Sequence, residues 1–301
     1  MNDAVSTVQE AAELREQVAA QLDQRGYFEG QSWLRDAFMA VPREHFVPDR
    51  VWWPVAKDGL YPLMDRTTRP RQWLKAVYRT QQMLITQIDD GAIQPEEGPV
   101  TTDAFTDFTS SISCSAVVVE MLHHLDPQPG ETVLEIGTGT GYNTALLAHR
   151  VGAGNVTSIE IDPQIAEWAR ERLSLLGIGA RLVVGDGEKG YADSAPYDGI
   201  LSTAAVREVP RAWPAQVRAG GVIVTPVATP FNWDGGTYDG LCRLVCDGEG
   251  SAVGRMVSGV AFMKVRGQRS QRPFEELGWP ALGDYQVSVS AEAGQRVRTG
   301  P

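Results

Sequence analysis

The chain has 301 residues, of which 43% are apolar, and its formal net charge is −11. This length and apolar content allow one large α/β domain with additions, or one domain plus a small second one, and no apolar run is long enough to cross a bilayer. The acidic charge argues against a nucleic-acid partner, and the N-terminus lacks the basic and apolar segments of a secretion signal. Three scattered cysteines predict no disulfide framework and fit a reducing, cytoplasmic compartment.

The first 110 residues are predicted to contain two helices followed by a long region of weak pattern. Apolar residues at helical spacing indicate helices over 4–25 and 32–40. Residues 49–109 show a helix-like stretch at 71–78 and a strand-like stretch at 83–88. Because this region is rich in Trp and Tyr, we expect it to be ordered, either as a peptide groove or as packing against the main domain.

A cluster of serines precedes the next predicted helix. Residues 109–115 read Thr-Ser-Ser-Ile-Ser-Cys-Ser, and the apolar residues from Val117 to Leu125 have the spacing of a helix with one buried face. Taken alone, such a cluster predicts a helix N-cap.

Residues 132–143 have the pattern of a nucleotide-binding corner. Val133–Ile136 predicts a buried strand of a parallel sheet, and a helix is expected from Ala145 onwards. Between them, glycines at 137, 139 and 141 allow a sharp turn and a close approach of backbone to ligand. A dinucleotide-binding turn would carry a third characteristic glycine where this chain has Tyr142.

Acidic residues at three predicted strand ends indicate which ligand binds there. Glu135 precedes the first glycine, Glu160 ends a strand over 156–160, and Asp186 follows a strand over 181–184. Glu135 would repel a pyrophosphate but not a cationic, phosphate-free ligand. Glu160 could hold the ribose of such a nucleoside, and Asp186 could accept from its adenine amino group. We therefore expect S-adenosylmethionine as cofactor in preference to NAD, and no metal ion.

The rest of the pattern predicts an α/β fold with a mainly parallel, doubly wound sheet and an antiparallel edge. The predicted elements are a helix over 163–176, a strand over 198–202, a helical connector over 206–217, and strands over 222–227, 241–245 and 257–265. Cys242 and Cys246 are interpreted as strand residues. Residues 266–301 show little pattern apart from a short strand-like run at 287–289.

Six segments of the chain resemble the protein-L-isoaspartate O-methyltransferases. In chain order these segments are 41–48, 111–113, 133–142, 185–187, 195–198 and 220–227. The resemblance implies a class I Rossmann-like, S-adenosylmethionine-dependent methyltransferase that acts on an aspartyl or isoaspartyl carboxylate of a peptide or protein. From the net charge and the lack of a long apolar run, we expect neither a nucleic-acid nor a membrane partner.

The resemblance assigns Ser113 to the position of the active-site serine between the methyl donor and the substrate carboxylate. The cofactor-binding residues that it implies are Ser111, Ser113, Glu135, Gly137, Thr138, Gly139, Tyr142, Glu160, Ile161, Asp186 and Gly187. Of these, Glu135 and the glycine turn are expected beside the methionine part of the donor. A carboxylate is ionised at neutral pH, so the transfer needs no general base, and a neutral hydroxyl can orient it.

Two departures from the family pattern bear on the substrate. Cys114 and Ser115 replace the small residue and proline that follow the serine in the family. In addition, about 60 residues separate segment 41–48 from Ser113, a separation much longer than in the repair enzymes of the family. Residues 73–78 and 85–91 resemble specialised homologues of graspetide and lanthipeptide pathways. Those homologues methylate an aspartate side chain of a ribosomally made precursor peptide, and the ester then closes to an aspartimide.

Maturation of such a precursor is therefore the first prediction from sequence, and general repair of L-isoaspartyl residues is the alternative. An inactive binding module is a third reading, because Cys114 and Ser115 alter the active-site loop. A nucleic-acid methyltransferase lacks support from any Asn-Pro-Pro-aromatic motif. We expect an N-terminal region with a substrate-recognition insertion over 1–110, a methyltransferase core over 111–265 and an extension over 266–301.

Overall fold

Six α-helices and thirteen strands organise the part of the chain that the computed structural model describes, namely residues 2–101, 108–233, 236–269, 274–280 and 285–299. The helices are α1 (Asn2–Asp23), α2 (Ser32–Ala40), α3 (Pro70–Val77), α4 (Ser115–Leu125), α5 (Tyr142–Val151) and α6 (Pro163–Leu175). The strands are β1 (Arg50–Trp52), β2 (Leu63–Asp65), β3 (Leu84–Ile88), β4 (Phe108–Ile112), β5 (Val133–Ile136), β6 (Val156–Glu160), β7 (Arg181–Val184), β8 (Tyr197–Ser202), β9 (Val217–Trp233), β10 (Gly236–Cys246), β11 (Ala252–Val260), β12 (Tyr285–Ser290) and β13 (Gly294–Thr299). Residues 102–107 of the predicted insertion, and 270–273 and 281–284 of the predicted extension, lie outside the described residues.

The main sheet has nine strands within the described residues, in the order β13-β12-β11-β10-β9-β8-β5-β6-β7. In this sheet the strands β7, β6, β5, β8 and β9 are parallel to one another. The strands β9, β10, β11, β12 and β13 pair antiparallel with their neighbours. Every residue of β5 is buried, as expected of a central strand covered on both faces. This mixed α/β architecture with a mostly parallel centre is the predicted one. The antiparallel edge extends into the predicted C-terminal extension, which supplies β12 and β13.

The antiparallel strands differ from their predicted bounds. The predicted strand at 222–227 is the middle of the much longer β9, which pairs with β10 over most of its length. The strand predicted at 257–265 begins earlier, at Ala252, and ends at Val260. Beyond that point the backbone leaves β10 and pairs with Ala205, whose amide donates to the Met263 carbonyl at 2.7 Å. The predicted strand therefore spans two differently paired segments.

The helical connector predicted over 206–217 is absent, and that prediction is wrong. The segment contains turns and one short 3-10 helix at Pro214–Gln216. Pro210 and Pro214 have no amide hydrogen to donate, so they interrupt the hydrogen-bond ladder of a helix. The Val206 amide instead donates to the Pro226 carbonyl at 3.0 Å, which anchors the connector to β9.

A second sheet, of four strands in the order β2-β1-β3-β4, occupies the region where the sequence shows least pattern. Three aromatic residues of this region are buried: Trp52 is 0% exposed, Phe108 4% and Tyr61 6%. Trp73 on α3 is also buried, at 1%. For these four aromatic residues, packing is therefore the reading that the structure supports. The predicted boundary between 110 and 111 falls inside β4.

The serine cluster belongs to this second sheet, so its interpretation as a helix N-cap is wrong. Ser110 and Ser111 lie in β4 opposite Gln87 and Ile85 of β3. The residue at the N-cap position of α4 is Cys114, and its side chain makes no capping hydrogen bond. The chain is extended up to Ile112, which carries the hydroxyls of Ser110 and Ser111 away from the first turn of the helix, and Ser115 already lies inside that turn.

The three cysteines are unpaired, and Cys242 and Cys246 lie buried in β10, as their interpretation as strand residues requires. Among the described residues, no helix combines the length and apolar character needed to span a bilayer.

Candidate active site

A cavity of about 490 Å³ opens at the carboxyl ends of the parallel strands β5 to β8. Ten of the eleven predicted site residues line it: Ser111, Ser113, Gly137, Thr138, Gly139, Tyr142, Glu160, Ile161, Asp186 and Gly187. Volumes of about 300–1,000 Å³ are typical of small-molecule sites. The sequence pattern thus brings the predicted residues to one place, although their contact with a methyl donor stays a prediction.

The glycine turn forms the wall between β5 and α5. Gly137, Gly139 and Gly141 have φ values of +88°, +53° and +88°, in the left-handed region that side chains disfavour. A Cβ on Gly137 would also lie 2.7 Å from the Thr203 hydroxyl oxygen. That hydroxyl donates to the Gly137 carbonyl at 2.5 Å, so the turn is fastened to the segment after β8.

Glu160 holds the same turn from the other side. Its carboxylate accepts from the Gly139 amide at 2.9 Å and from the Asp162 amide at 3.1 Å, and the residue is 8% exposed. Burial raises the pKa of Glu160, while these amide contacts oppose the shift. A buried carboxylate on the cavity wall is suited to accept hydrogen bonds from ligand hydroxyls.

Asp186 and Gly187 lie on the wall beyond β7. Asp186 begins a short 3-10 helix, Gly187–Lys189, and its Oδ1 accepts from the Glu188 amide at 3.0 Å. Its Oδ2 lies 3.6 Å from the exposed Lys189 ammonium. The Asp186 carboxylate is therefore held by the amide of its own turn, and Asp186 lines the cavity.

Glu135 is the predicted site residue that the structure does not place on the cavity wall, and its expected contact with the methyl donor stays a prediction. The residue is 0% exposed, because β5 directs it with Val133 toward α5. Its carboxylate accepts from Asn143 Nδ2 at 2.8 Å, from Ser158 Oγ at 2.7 Å and from the Thr144 hydroxyl. Glu135 therefore ties the start of α5 to β6 beneath the glycine turn.

This buried carboxyl is expected to make the stability of the protein depend on pH. Burial raises the pKa of Glu135 from 4.5 to about 7, against the opposing effect of its three hydrogen-bond partners. Between these values the folded protein retains a proton that the unfolded chain releases. The free energy of unfolding should then fall by about 3 kcal/mol as the pH rises through this interval. Urea unfolding of Glu135→Gln should show a flatter profile, and an unchanged slope would assign the pH dependence to other groups.

Ser113 lies on the cavity wall in the link between β4 and α4. Its hydroxyl makes no hydrogen bond to any residue that the structure describes. Its carbonyl accepts from Arg43 Nη2 at 2.6 Å, and Arg43 Nε donates to the Val77 carbonyl at 2.9 Å. The Arg43 guanidinium is 5.1 Å from the Tyr142 ring centroid. Arg43 therefore positions the serine loop relative to the glycine turn.

Sequence reasoning missed the residues that join the second sheet to the main sheet. Gln87 Nε2 donates to Asp162 Oδ2 at 3.0 Å, next to Glu160. Arg266 and Arg269, which both line the cavity, contact the two carboxylate oxygens of Asp90 at 2.9 and 2.8 Å. The left-handed φ of +48° at Asp90 belongs to the turn after β3. The arginine partners of Asp90 lie more than 170 residues further along the chain, so no local pattern could indicate them.

Comparisons with known proteins give one consistent family. The model of the protein-L-isoaspartate(D-aspartate) O-methyltransferase family matches residues 76–270. A relative from Ignicoccus hospitalis, named protein-L-isoaspartate O-methyltransferase, is 40% identical over 155 residues, which are 51% of this chain and 71% of the relative.

Two solved structures resemble the whole fold. One, named protein-L-isoaspartate O-methyltransferase, has a TM-score of 0.61 at 22% identity and covers 95% of this chain and 88% of its own. The other comes from Plasmodium falciparum, is assigned to the same class of methyltransferase and was solved with S-adenosyl-L-homocysteine. It has a TM-score of 0.58 at 15% identity and covers 85% of this chain and 98% of its own. These likenesses establish the Rossmann-like fold.

Proposed function

Because this chain belongs to the protein-L-isoaspartate(D-aspartate) O-methyltransferase family, we propose that it transfers a methyl group from S-adenosylmethionine to a carboxylate of a peptide or protein. The observation that carries the proposal is the convergence of Ser113, the glycine turn, Glu160 and Asp186 on one cavity of about 490 Å³.

The residues of the cavity fit the methyl donor. Glu160 is nearly buried on the wall and has carboxylate oxygens that can accept from ribose hydroxyls, and Asp186 and Gly187 would hold the adenine. Asn143 Oδ1 is buried on the same wall and has no hydrogen-bond partner among the described residues, so it offers an acceptor near the glycine turn. When bound, S-adenosylmethionine supplies a methyl group on a sulfonium, which is already a good electrophile.

The chain contributes orientation and exclusion of water. The Ser113 hydroxyl would donate to one oxygen of the acceptor carboxylate and leave the acceptor charged. The second sheet covers the cavity through Phe108–Ile112 and so helps to remove water from that carboxylate. The acceptor is ionised at neutral pH, so no side chain has to remove a proton.

L-Isoaspartyl residues are the substrate we propose, in place of the precursor peptide ranked first from sequence. The relative with the matching core is named for isoaspartate, and the aromatic residues that suggested a peptide groove are buried. Methylation of an isoaspartyl carboxyl turns it into an ester with a good leaving group. The next backbone amide nitrogen of the substrate can then attack and close a succinimide, which opens again by hydrolysis.

A modified precursor peptide is the second candidate, because one observation favours it. The strand β4 of the second sheet, which ends directly before Ser113, forms part of the cavity wall. The substrate therefore meets a surface that belongs to the long segment between the 41–48 motif and the serine.

The deciding experiment incubates the protein with methyl-labelled donor and matched short peptides that differ only in an L-isoaspartyl or an L-aspartyl residue. We expect ester formation, measured as released labelled methanol, with the isoaspartyl peptide alone. Turnover of a cyclised aspartyl precursor without turnover of the isoaspartyl peptide would favour maturation. Donor binding by calorimetry without turnover of any peptide would indicate a binding module.

We also propose a reducing compartment such as the cytoplasm for this reaction. The support is that Cys114, Cys242 and Cys246 are all free thiols.

A further inference from the structure

A buried ion pair on the cavity wall has no part in the function described so far. Lys264 Nζ donates to Asp239 Oδ1 at 2.7 Å, and Lys264 lines the cavity. The Asp239 side chain is 2% exposed and the Lys264 side chain 24%. The other oxygen of Asp239 accepts from the Phe262 amide at 2.8 Å, so the carboxylate is fixed at the base of the pair. Burial raises the pKa of Asp239, which the neighbouring ammonium opposes.

The backbone places this pair beside the glycine turn. Met263 and Val265, on either side of Lys264, form hydrogen bonds with Ala205 at 2.7 and 2.9 Å. Ala205 lies two residues after Thr203, whose hydroxyl donates a hydrogen bond to the Gly137 carbonyl. Lys264 is thus anchored two residues from a side chain that touches the glycine turn, on the same cavity as Ser113.

The ammonium retains a donor for a ligand. A lysine ammonium carries three N–H groups, and the described residues accept two of them, Asp239 Oδ1 at 2.7 Å and the Phe262 carbonyl at 3.3 Å. The Asp239 carboxylate is buried and the Lys264 side chain is more exposed, so the pair presents its positive charge on the cavity wall. A third, charge-assisted hydrogen bond would go to an anion.

We propose that Lys264, held in place by Asp239, is a positioning residue that binds the acceptor carboxylate of the substrate. This inference rests on the proposed function and names its recognition element. One carboxylate oxygen would accept from the ammonium, and the second oxygen would remain free to attack the methyl group. That oxygen forms the new C–O bond as the S–C bond breaks, and no proton moves. The site would therefore select a substrate whose acceptor carboxyl group is already ionised when it binds.

The test measures how strongly the protein prefers a carboxylate to an amide at the target residue. Calorimetry in the presence of S-adenosylhomocysteine would measure the affinities of two pairs of peptides. An isoaspartyl peptide is compared with the same peptide carrying isoasparagine, and an aspartyl peptide with the same peptide carrying asparagine. For the wild-type protein we expect a preference for the carboxylate of about 10- to 100-fold in at least one pair. Lys264→Met should reduce this preference to about twofold, and Lys264→Arg should keep most of it.

The variants separate recognition from folding. Lys264→Met leaves Asp239 buried without a partner, so Lys264→Met/Asp239→Asn removes the whole pair and serves as the second test. Lys75→Met, at an exposed position on α3, is the matched control. Affinity for S-adenosylhomocysteine should stay the same in all of them.

A folded double variant that retains the full preference for the carboxylate would overturn the inference, and so would a wild-type protein with no preference in either pair. Failure of the proposed function is visible separately, because the wild-type protein would then bind the carboxylate peptide without methylating the isoaspartyl one.

Discussion

Replacing Glu160 with Ala is expected to weaken binding of S-adenosylmethionine by about 10- to 100-fold, because charge-assisted hydrogen bonds contribute about 1.5–3 kcal/mol. The carboxylate would lose its bonds to the ribose hydroxyls. It would also release the Gly139 amide, which it holds at 2.9 Å, and loosen the turn that faces the ligand. Isothermal titration with the methyl donor measures the effect directly.

Glu160→Gln separates the two contributions. The amide oxygen can still accept from the Gly139 backbone, so the turn stays in place, whereas the charge and one acceptor are lost. An affinity between those of the wild-type protein and Glu160→Ala is expected. Glu171→Ala changes an exposed residue of α6 and is the matched control. Dissociation constants equal to the wild-type value in both Glu160 variants would place the ribose elsewhere in the cavity.

Replacing Ser113 with Ala is expected to reduce turnover by about 100-fold while leaving affinity for the methyl donor within a few-fold of wild type. The hydroxyl is free of internal hydrogen bonds among the described residues, so its loss leaves no partner unsatisfied. The Ser113 carbonyl still accepts from Arg43, which keeps the loop in position. The defect should therefore appear in kcat for the isoaspartyl peptide, under saturating methyl donor.

Two comparisons make the Ser113 result specific. Ser174→Ala removes an exposed hydroxyl on α6 and should behave as wild type. Ser113→Thr retains the hydroxyl and should recover part of the rate. If Ser113→Ala turned over at the wild-type rate, the hydroxyl would not orient the acceptor, and Lys264 alone would remain to do so.

The strand, glycine turn and helix at 132–151 could be predicted because their signals are local. A buried apolar run, three glycines and a helix follow one another directly, and the structure reproduces them as β5, the turn and α5. Strands that end in Glu160 and before Asp186 meet at the same sheet edge, because parallel strands share their carboxyl ends. That rule accounts for eight of the ten predicted residues that line the cavity, whereas Ser111 and Ser113 come from β4 and the link after it.

The face of β5 on which Glu135 lies could also be inferred from the sequence, although the prediction expected it beside the methyl donor. Side chains alternate along a strand, so Glu135 shares the face of Val133 and lies opposite Leu134 and Ile136. The polar pair Asn143 and Thr144 at the start of α5 was a signal that a polar partner lies beneath the helix. The position of the carboxyl at the strand end alone does not determine the face on which it lies.

The second sheet and the Lys264 pair could not be predicted from local pattern. Strands β1 and β2 have three residues each, too short for a two-residue alternation to be recognised. Their pairing with β3 and β4 depends on contacts between distant segments. Lys264 and Asp239 are likewise 25 residues apart, and neither belongs to a recognisable motif.

The bridge between Asp90 and the two arginines has a consequence for how the protein is made. Asp90 and Arg269 are separated by 179 positions, so the wall that they complete closes one of the longest loops in the molecule. Closing long loops is slow compared with forming local helices and hairpins. On a ribosome, the nascent chain would hold its finished β5–α5 corner for some time without a closed cavity. The wall between Asp90 and the arginines would be complete only after residue 269 had left the exit tunnel.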